Sequence, residues 1–203
     1  MKVNTPTKLT FLRIILAIIV IIVLIFPFYR VGIKMPTYLF RNILIEFKYI
    51  IAGAIFCLAS ITDFLDGYLA RKNKQVTDFG KFSDAIADKV LVNSVLIIFS
   101  AQGFIPVVVP VVIIVRDIIV DAIRMNIATK GKVQAAGISG KIKTASLMVG
   151  MILTFAYNLP FELWGLGISK AFIYFGTIMA IISMVEYYVI NKKLLLSEFE
   201  IKN

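Results

Sequence analysis

Seven aspartates occur in the chain, and all of them lie between Asp63 and Asp121. Asp63 and Asp66 are three residues apart, and Asp84 and Asp88 are four apart. On helices these spacings place each pair near one face. Four carboxylates converging in partial dehydration would repel one another and raise their own pKa values. Divalent cations remove that conflict. Hard oxygen ligands suit Mg²⁺ or Mn²⁺, and two such ions side by side form a clamp for displacement at phosphorus. The competing reading pairs these aspartates with Arg71, Lys81 and Lys89 at a wet helix end. There is no histidine, so acid–base work falls to carboxylates or lysines. Cys57 is the single cysteine, which excludes an internal disulfide and a thiolate zinc site.

The elements that must position these residues are apolar. Of 203 residues, 60% are hydrophobic, and the mean hydropathy is +0.91. Long runs with few charges predict bilayer-spanning helices. Six segments emerge, at about 10–28, 45–66, 83–102, 105–126, 142–159 and 170–190, each near the roughly 20 residues a span needs. Connections are short and no repeat is visible, so residues 1–203 are expected to form one all-α, polytopic membrane domain, a single bundle of six transmembrane helices. Pro106 and Pro110 suit an irregular start or first turn of the fourth helix. Lys2 and Lys8 precede the first apolar stretch, which contains Arg13 and ends without a small-residue cleavage site, so it reads as a retained span.

The net charge of +10 points to anionic lipid headgroups and topology, and away from nucleic acid, because most cations flank apolar segments. Arg71, Lys72, Lys74, Lys81, Arg124, Lys130, Lys132, Lys141 and Lys143 fall on one side, with Lys192 and Lys193 in the tail. The other side holds Arg30, Lys34, Arg41, Lys48 and Lys170. The positive-inside rule then places both termini and the aspartates at the cytoplasmic face of the cell (plasma) membrane.

The stretch Asp63-x2-Asp66-Gly67-x2-Ala70-Arg71-x8-Gly80-x3-Asp84-x3-Asp88 specifies eight residues over 26 positions. Without gap or substitution it resembles the signature of the CDP-alcohol phosphatidyltransferase family. The resemblance implies that Asp63, Asp66 and Asp84 bind a metal pair, and that Asp88 also touches metal and serves as the catalytic base. It implies that Asp66, Gly67, Arg71, Thr77 and Gly80, with Thr10, contact the cytidine nucleotide. It further implies CDP-diacylglycerol as donor, two Mg²⁺ or Mn²⁺ ions as cofactors, and a homodimer.

The wider chain is similar to the phosphatidylglycerophosphate synthases within that family. Thr10 and Arg13 match a Thr-x-x-Arg pattern opening the first helix. Arg116-Asp117 with Arg124 resembles an Arg-Glu…Arg pattern on the fourth, and Gly140-Lys141-Ile142-Lys143-Thr144 matches Gly-Lys-x-Lys-Thr opening the fifth. Glycerol 3-phosphate is therefore the expected acceptor. Arg116, Arg124, Lys141 and Lys143 would neutralise its dianionic phosphate, arginine being able to bind two oxygens at once. Asp117 and Asp121 are expected to pair with Arg124 along their helix. Three departures from the family pattern are Ala85 after Asp84, Asp117 for Glu, and Thr7 for an Asn. The alternatives are another acceptor (inositol phosphate, serine or phosphatidylglycerol) or, in a different class, a cation-coupled transporter.

Overall fold

A computed structural model describes residues 5–41, 43–72, 78–129 and 137–196, with backbone alone for 5–10, 63–72, 78–83, 85 and 193–196. Six helices follow in order: α1 (Thr5–Ile25), α2 (Phe47–Lys72), α3 (Asp78–Ala101), α4 (Val108–Thr129), α5 (Ile138–Phe155) and α6 (Ile168–Leu196). They match the six apolar segments, with ends displaced by several residues because apolarity marks the buried or lipid-facing length and not the charged turns beyond it. Pro110 falls in the first turn of α4, where its missing N–H removes no helical bond.

One element departs from the all-α expectation. Between α1 and α2, strands β1 (Thr37–Phe40) and β2 (Ile43–Glu46) pair antiparallel, with Thr37 opposite Glu46 and Phe40 opposite Ile43. Their β-branched and aromatic residues favour strand, and Arg41, at φ 54°, starts the reversal. The apolar run of β2 leads directly into α2, so hydropathy alone merges the two.

The connections gather at two chemically different ends of the bundle. The hairpin end gathers β1–β2, the α3–α4 turn and the α5–α6 turn. There the Glu46 N–H donates to the Tyr157 hydroxyl at 2.8 Å, and Tyr49 packs edge-on against Phe104 and Tyr157. Burial pushes the Tyr157 phenol up to about 12, so it remains a neutral hydroxyl. Asn158 is the hub: its amide donates to Glu162 at 2.9 Å and to the Leu166 carbonyl at 2.6 Å, and its oxygen accepts the Ser169 N–H at 2.9 Å. A cavity of about 390 Å³ opens here. The aspartates lie at the opposite, acidic end.

Between the ends runs an apolar core in which Phe56, Phe99 and Phe155 stack, with centroids 5.5 and 4.7 Å from Phe155. Large apolar side chains also cover the outside, among them Ile15, Ile22, Ile61, Val115, Ile178 and Val185. An apolar exterior on this scale marks a partner surface or a lipid solvent. Residues 138–155 and 168–192 are each long and apolar enough to cross a membrane. When the outside is as apolar as the inside, close van der Waals contact must hold helices together, and small residues supply it. Gly150 does so between α5 and α6: a Cβ there would stand 2.6 Å from Ile173 Cγ1 and 3.0 Å from both the Ile173 nitrogen and the Ser169 carbonyl.

Because two of those neighbours are backbone, Gly150→Ala is expected to destabilise the bundle by about 1–3 kcal/mol. Thermal unfolding of the detergent-solubilised protein should show a lowered midpoint. Gly167→Ala, which meets nothing within 4 Å, should leave it in place.

Candidate active site

The acidic end is built from two walls. The first is the end of α2, whose backbone carries Asp63, Asp66, Gly67 and Arg71, and the start of α3, which carries Gly80, Asp84 and Asp88. Asp84 and Asp88 stand one turn apart on α3 and are both half-buried. Arg13 of α1 is 1% exposed and reaches Asp84, Nη1 to Oδ1 at 3.6 Å. A guanidinium sealed into an apolar helix needs a carboxylate nearby, which gives the first helix its place beside the third. Thr77 lies outside the described residues, as do the side chains of Thr10, Asp63, Asp66, Arg71 and Lys81. Among the described residues, no three acidic side chains gather into one cluster.

The second wall is a network linking α4, α5 and α6. Asp117 is 6% exposed, and its Oδ1 accepts from Arg116 Nη1 at 2.9 Å and from Lys143 Nζ at 2.9 Å. Arg116 Nη2 donates to Ser183 of α6 at 2.5 Å. About two turns on, Arg124 Nη2 donates to the Tyr187 hydroxyl at 2.6 Å and its guanidinium lies 5.0 Å over that ring. Ser139 of α5 donates to Glu186 of α6. Arg116, Lys143 and Asp117 together carry one net positive charge in a buried place, and Arg116 Nε has no hydrogen-bond partner there. A buried surplus cation is stabilised by an anion.

The two walls meet. Asp88 and Lys89 of α3, Asp117 of α4, and Lys143 and Thr144 of α5 line one narrow cavity, closed by Val92 and Leu147. Asp88, Lys143 and the Arg116 network thus share a site, whereas Arg124 lies about two turns further along α4 and Lys141 is exposed. The expected pairing of Asp117 and Asp121 with Arg124 does not occur. Asp117 takes Arg116 and Lys143, and Asp121 takes Lys89. Each carboxylate is drawn across to a neighbouring helix by a cation that the i,i+3 rule for an isolated helix cannot see. Ser139, Ser183, Glu186 and Tyr187 were not anticipated as partners. Their signal was available: three polar residues within one turn of an otherwise apolar α6 mark one face for another helix.

The donor set at the first wall fits divalent metal ions. Its residues offer carboxylate oxygens, the donor type that suits Mg²⁺ or Mn²⁺, and the chain has no histidine.

An apolar helical bundle whose acidic and basic groups converge at one end defines a membrane-type helical protein with a charged end. The sequence profile of the CDP-alcohol phosphatidyltransferases matches residues 3–186, and the chain belongs to that family. It is 35% identical over 189 residues to the CDP-diacylglycerol–glycerol-3-phosphate 3-phosphatidyltransferase of Bacillus subtilis (strain 168), covering 91% of this chain and 93% of the relative. The protein of that name from Haemophilus influenzae is 34% identical over 206 residues, covering 99% and 100%. A third, from Mycoplasma genitalium, is 38% identical over 143 residues, covering 62% and 61%.

Removing the shared acid tests the second wall. Asp117→Asn keeps the shape and strands two buried cations, an expected loss of about 3 kcal/mol or more. A thermal-unfolding midpoint that does not fall in the variant would show that the network is not a structural tie.

Proposed function

We propose that this protein transfers the phosphatidyl group of CDP-diacylglycerol to sn-glycerol 3-phosphate, releasing CMP and forming phosphatidylglycerophosphate. The observation that carries the proposal is that Asp88, the last acid of an unbroken family signature, lines one narrow cleft with Asp117 and Lys143, and that Asp117 also holds Arg116. The relatives that match across nearly the whole chain bear the name of this reaction.

All six helices span the membrane in this reading, with both termini and the acidic end in the cytoplasm. The shortest, α5, has 18 residues and is about 27 Å long at 1.5 Å per residue, close to the hydrocarbon thickness. The donor's acyl chains lie in lipid, beside the exposed apolar faces of the bundle. Asp66, Gly67, Arg71, Thr77 and Gly80, with Thr10, hold the cytidine nucleotide, and the protein works as a homodimer.

Asp63, Asp66, Asp84 and Asp88 would hold two Mg²⁺ or Mn²⁺ ions, which neutralise the diphosphate and acidify the attacking hydroxyl when bound. The chain's own residues do the rest. Arg116 and Lys143, with Arg124 and Lys141 further from Asp88, bind the acceptor's phosphate and so place its primary hydroxyl at Asp88. Asp88 takes the hydroxyl proton as the oxygen bonds to the phosphatidyl phosphorus. The bond from that phosphorus to the bridging oxygen breaks, and its electron pair leaves on CMP. Catalysis is mainly positioning and charge neutralisation.

Purified protein with CDP-diacylglycerol and Mg²⁺ or Mn²⁺ should release CMP when glycerol 3-phosphate is added, and far less with inositol phosphate, serine or phosphatidylglycerol. Release should stop on chelation and return with added metal. Release in detergent, where no gradient exists, also separates an enzyme from a transporter. Asp88→Asn should lower turnover by roughly a hundredfold or more while the protein stays folded; undiminished turnover would remove Asp88 from the role of base.

A further inference from the structure

Two carboxylates stand four residues apart on one face of α4, and each holds a lysine from a different neighbour. Asp117 holds Lys143 of α5, and Asp121 holds Lys89 of α3. Both lysines line the narrow cavity that contains Asp88. The two pairs differ in one respect. Lys143 and Asp117 have side chains 10% and 8% exposed, whereas Lys89 and Asp121 are 34% and 38% exposed.

Exposure decides what each lysine can do. A buried pair is costly to break, since either charge left alone is poorly solvated. A wet pair contributes little to stability and opens at small cost. Of the two ammonium groups beside Asp88, Lys89 is therefore the one that can exchange its carboxylate for an incoming anion. Its side chain lines the same narrow cavity as Asp88 and is a third exposed.

We infer that Lys89, held ready by Asp121, is a further acceptor-binding residue that closes on the phosphate of the incoming alcohol. This rests on the function proposed above, and deepens it by assigning a contact for the acceptor's dianion. Lys143 is the fixed half of the clamp and Lys89 the movable half. The second charge of the dianion is met by a cation that is neutralised until the ligand arrives. Asp121 is a positioning residue: it keeps Lys89 over the cavity and prevents the ammonium from turning into solvent. The competing assignment makes the pair only a fastener between α3 and α4.

Steady-state kinetics on the full-length protein separates the two. Lys89→Gln should raise KM for glycerol 3-phosphate roughly tenfold or more, with KM for CDP-diacylglycerol changed by less than about twofold. Asp121→Asn, which keeps the ammonium, should shift the acceptor KM less. The exchanged double variant Lys89→Asp/Asp121→Lys restores an ion pair between the helices but should remain as poor toward the acceptor as Lys89→Gln. An unchanged acceptor KM in Lys89→Gln, or a wild-type KM in the exchanged variant, would leave only the fastener. A measurement on unaltered protein guards against variants that do not fold. Acylation of Lys89 by an amine reagent, followed by mass spectrometry, should slow with glycerol 3-phosphate present and not with glycerol; equal labelling in both would overturn the inference. Wild-type protein that released no CMP with glycerol 3-phosphate would refute the proposed function instead, whereas normal release with indifferent Lys89 variants would refute this assignment alone.

Discussion

Asp117 places one carboxylate oxygen between a guanidinium and an ammonium inside a bundle of apolar helices. Charges in that setting are weakly screened, and each must have its partner in place. The requirement propagates outward. Lys143 ties α5 to α4 through Asp117, and Arg116 extends the tie to α6 through Ser183. Three helices thus converge on one ionic centre, and Gly140 lies so close that a Cβ there would meet Ser183 Oγ at 3.4 Å and Arg116 Nη2 at 3.6 Å. Dispersion contacts hold the apolar middle of the bundle, and they are tolerant of small shifts. This centre is not.

The two ends of the molecule satisfy their polar groups by different means. At the hairpin end, hydrogen bonds around Asn158 and Tyr157 close the turns, with one ion pair, Lys48 to Glu46 at 2.9 Å, beside them. At the acidic end, formal charges do so, with Arg13 on Asp84 and Lys89 on Asp121 added to the Asp117 centre. Neutral bonds fasten the fold whether or not a ligand is bound. Charged groups near a surface exchange partners when an ion arrives, and a site for phosphate-bearing substrates needs that property.

Much of this was legible in the sequence, in parts that follow from what each pattern encodes. Six apolar runs announced six helices, because an apolar stretch of that length has few other stable forms. The run from Asp63 to Asp88 marked a candidate site, since carboxylates beside apolar helices carry a cost that function must justify. The hairpin was hidden because residues 43–45 are as apolar as α2, and only Glu46 and Lys48 separate them from its apolar stretch. The partners of Asp117, Asp121 and Arg124 were hidden for a geometric reason. Sequence spacing shows which residues share a helix face, but not which helix that face meets. Arg124 beside two acids on its own helix looked like a local ion pair, yet Tyr187 of α6 draws it away.

The last helix is fastened at two separated levels. Near its start, Gly150 admits Ile173 and the Ser169 carbonyl at near-contact distance; further on, Ser183, Glu186 and Tyr187 receive their partners from α4 and α5. The intervening turns therefore act as a ruler. Each residue advances an α-helix by about 100°, so one residue gained or lost there would swing all three polar side chains toward the bundle's exterior together. Substitutions along the outward face of that stretch are tolerated on this geometry, whereas its length is not negotiable.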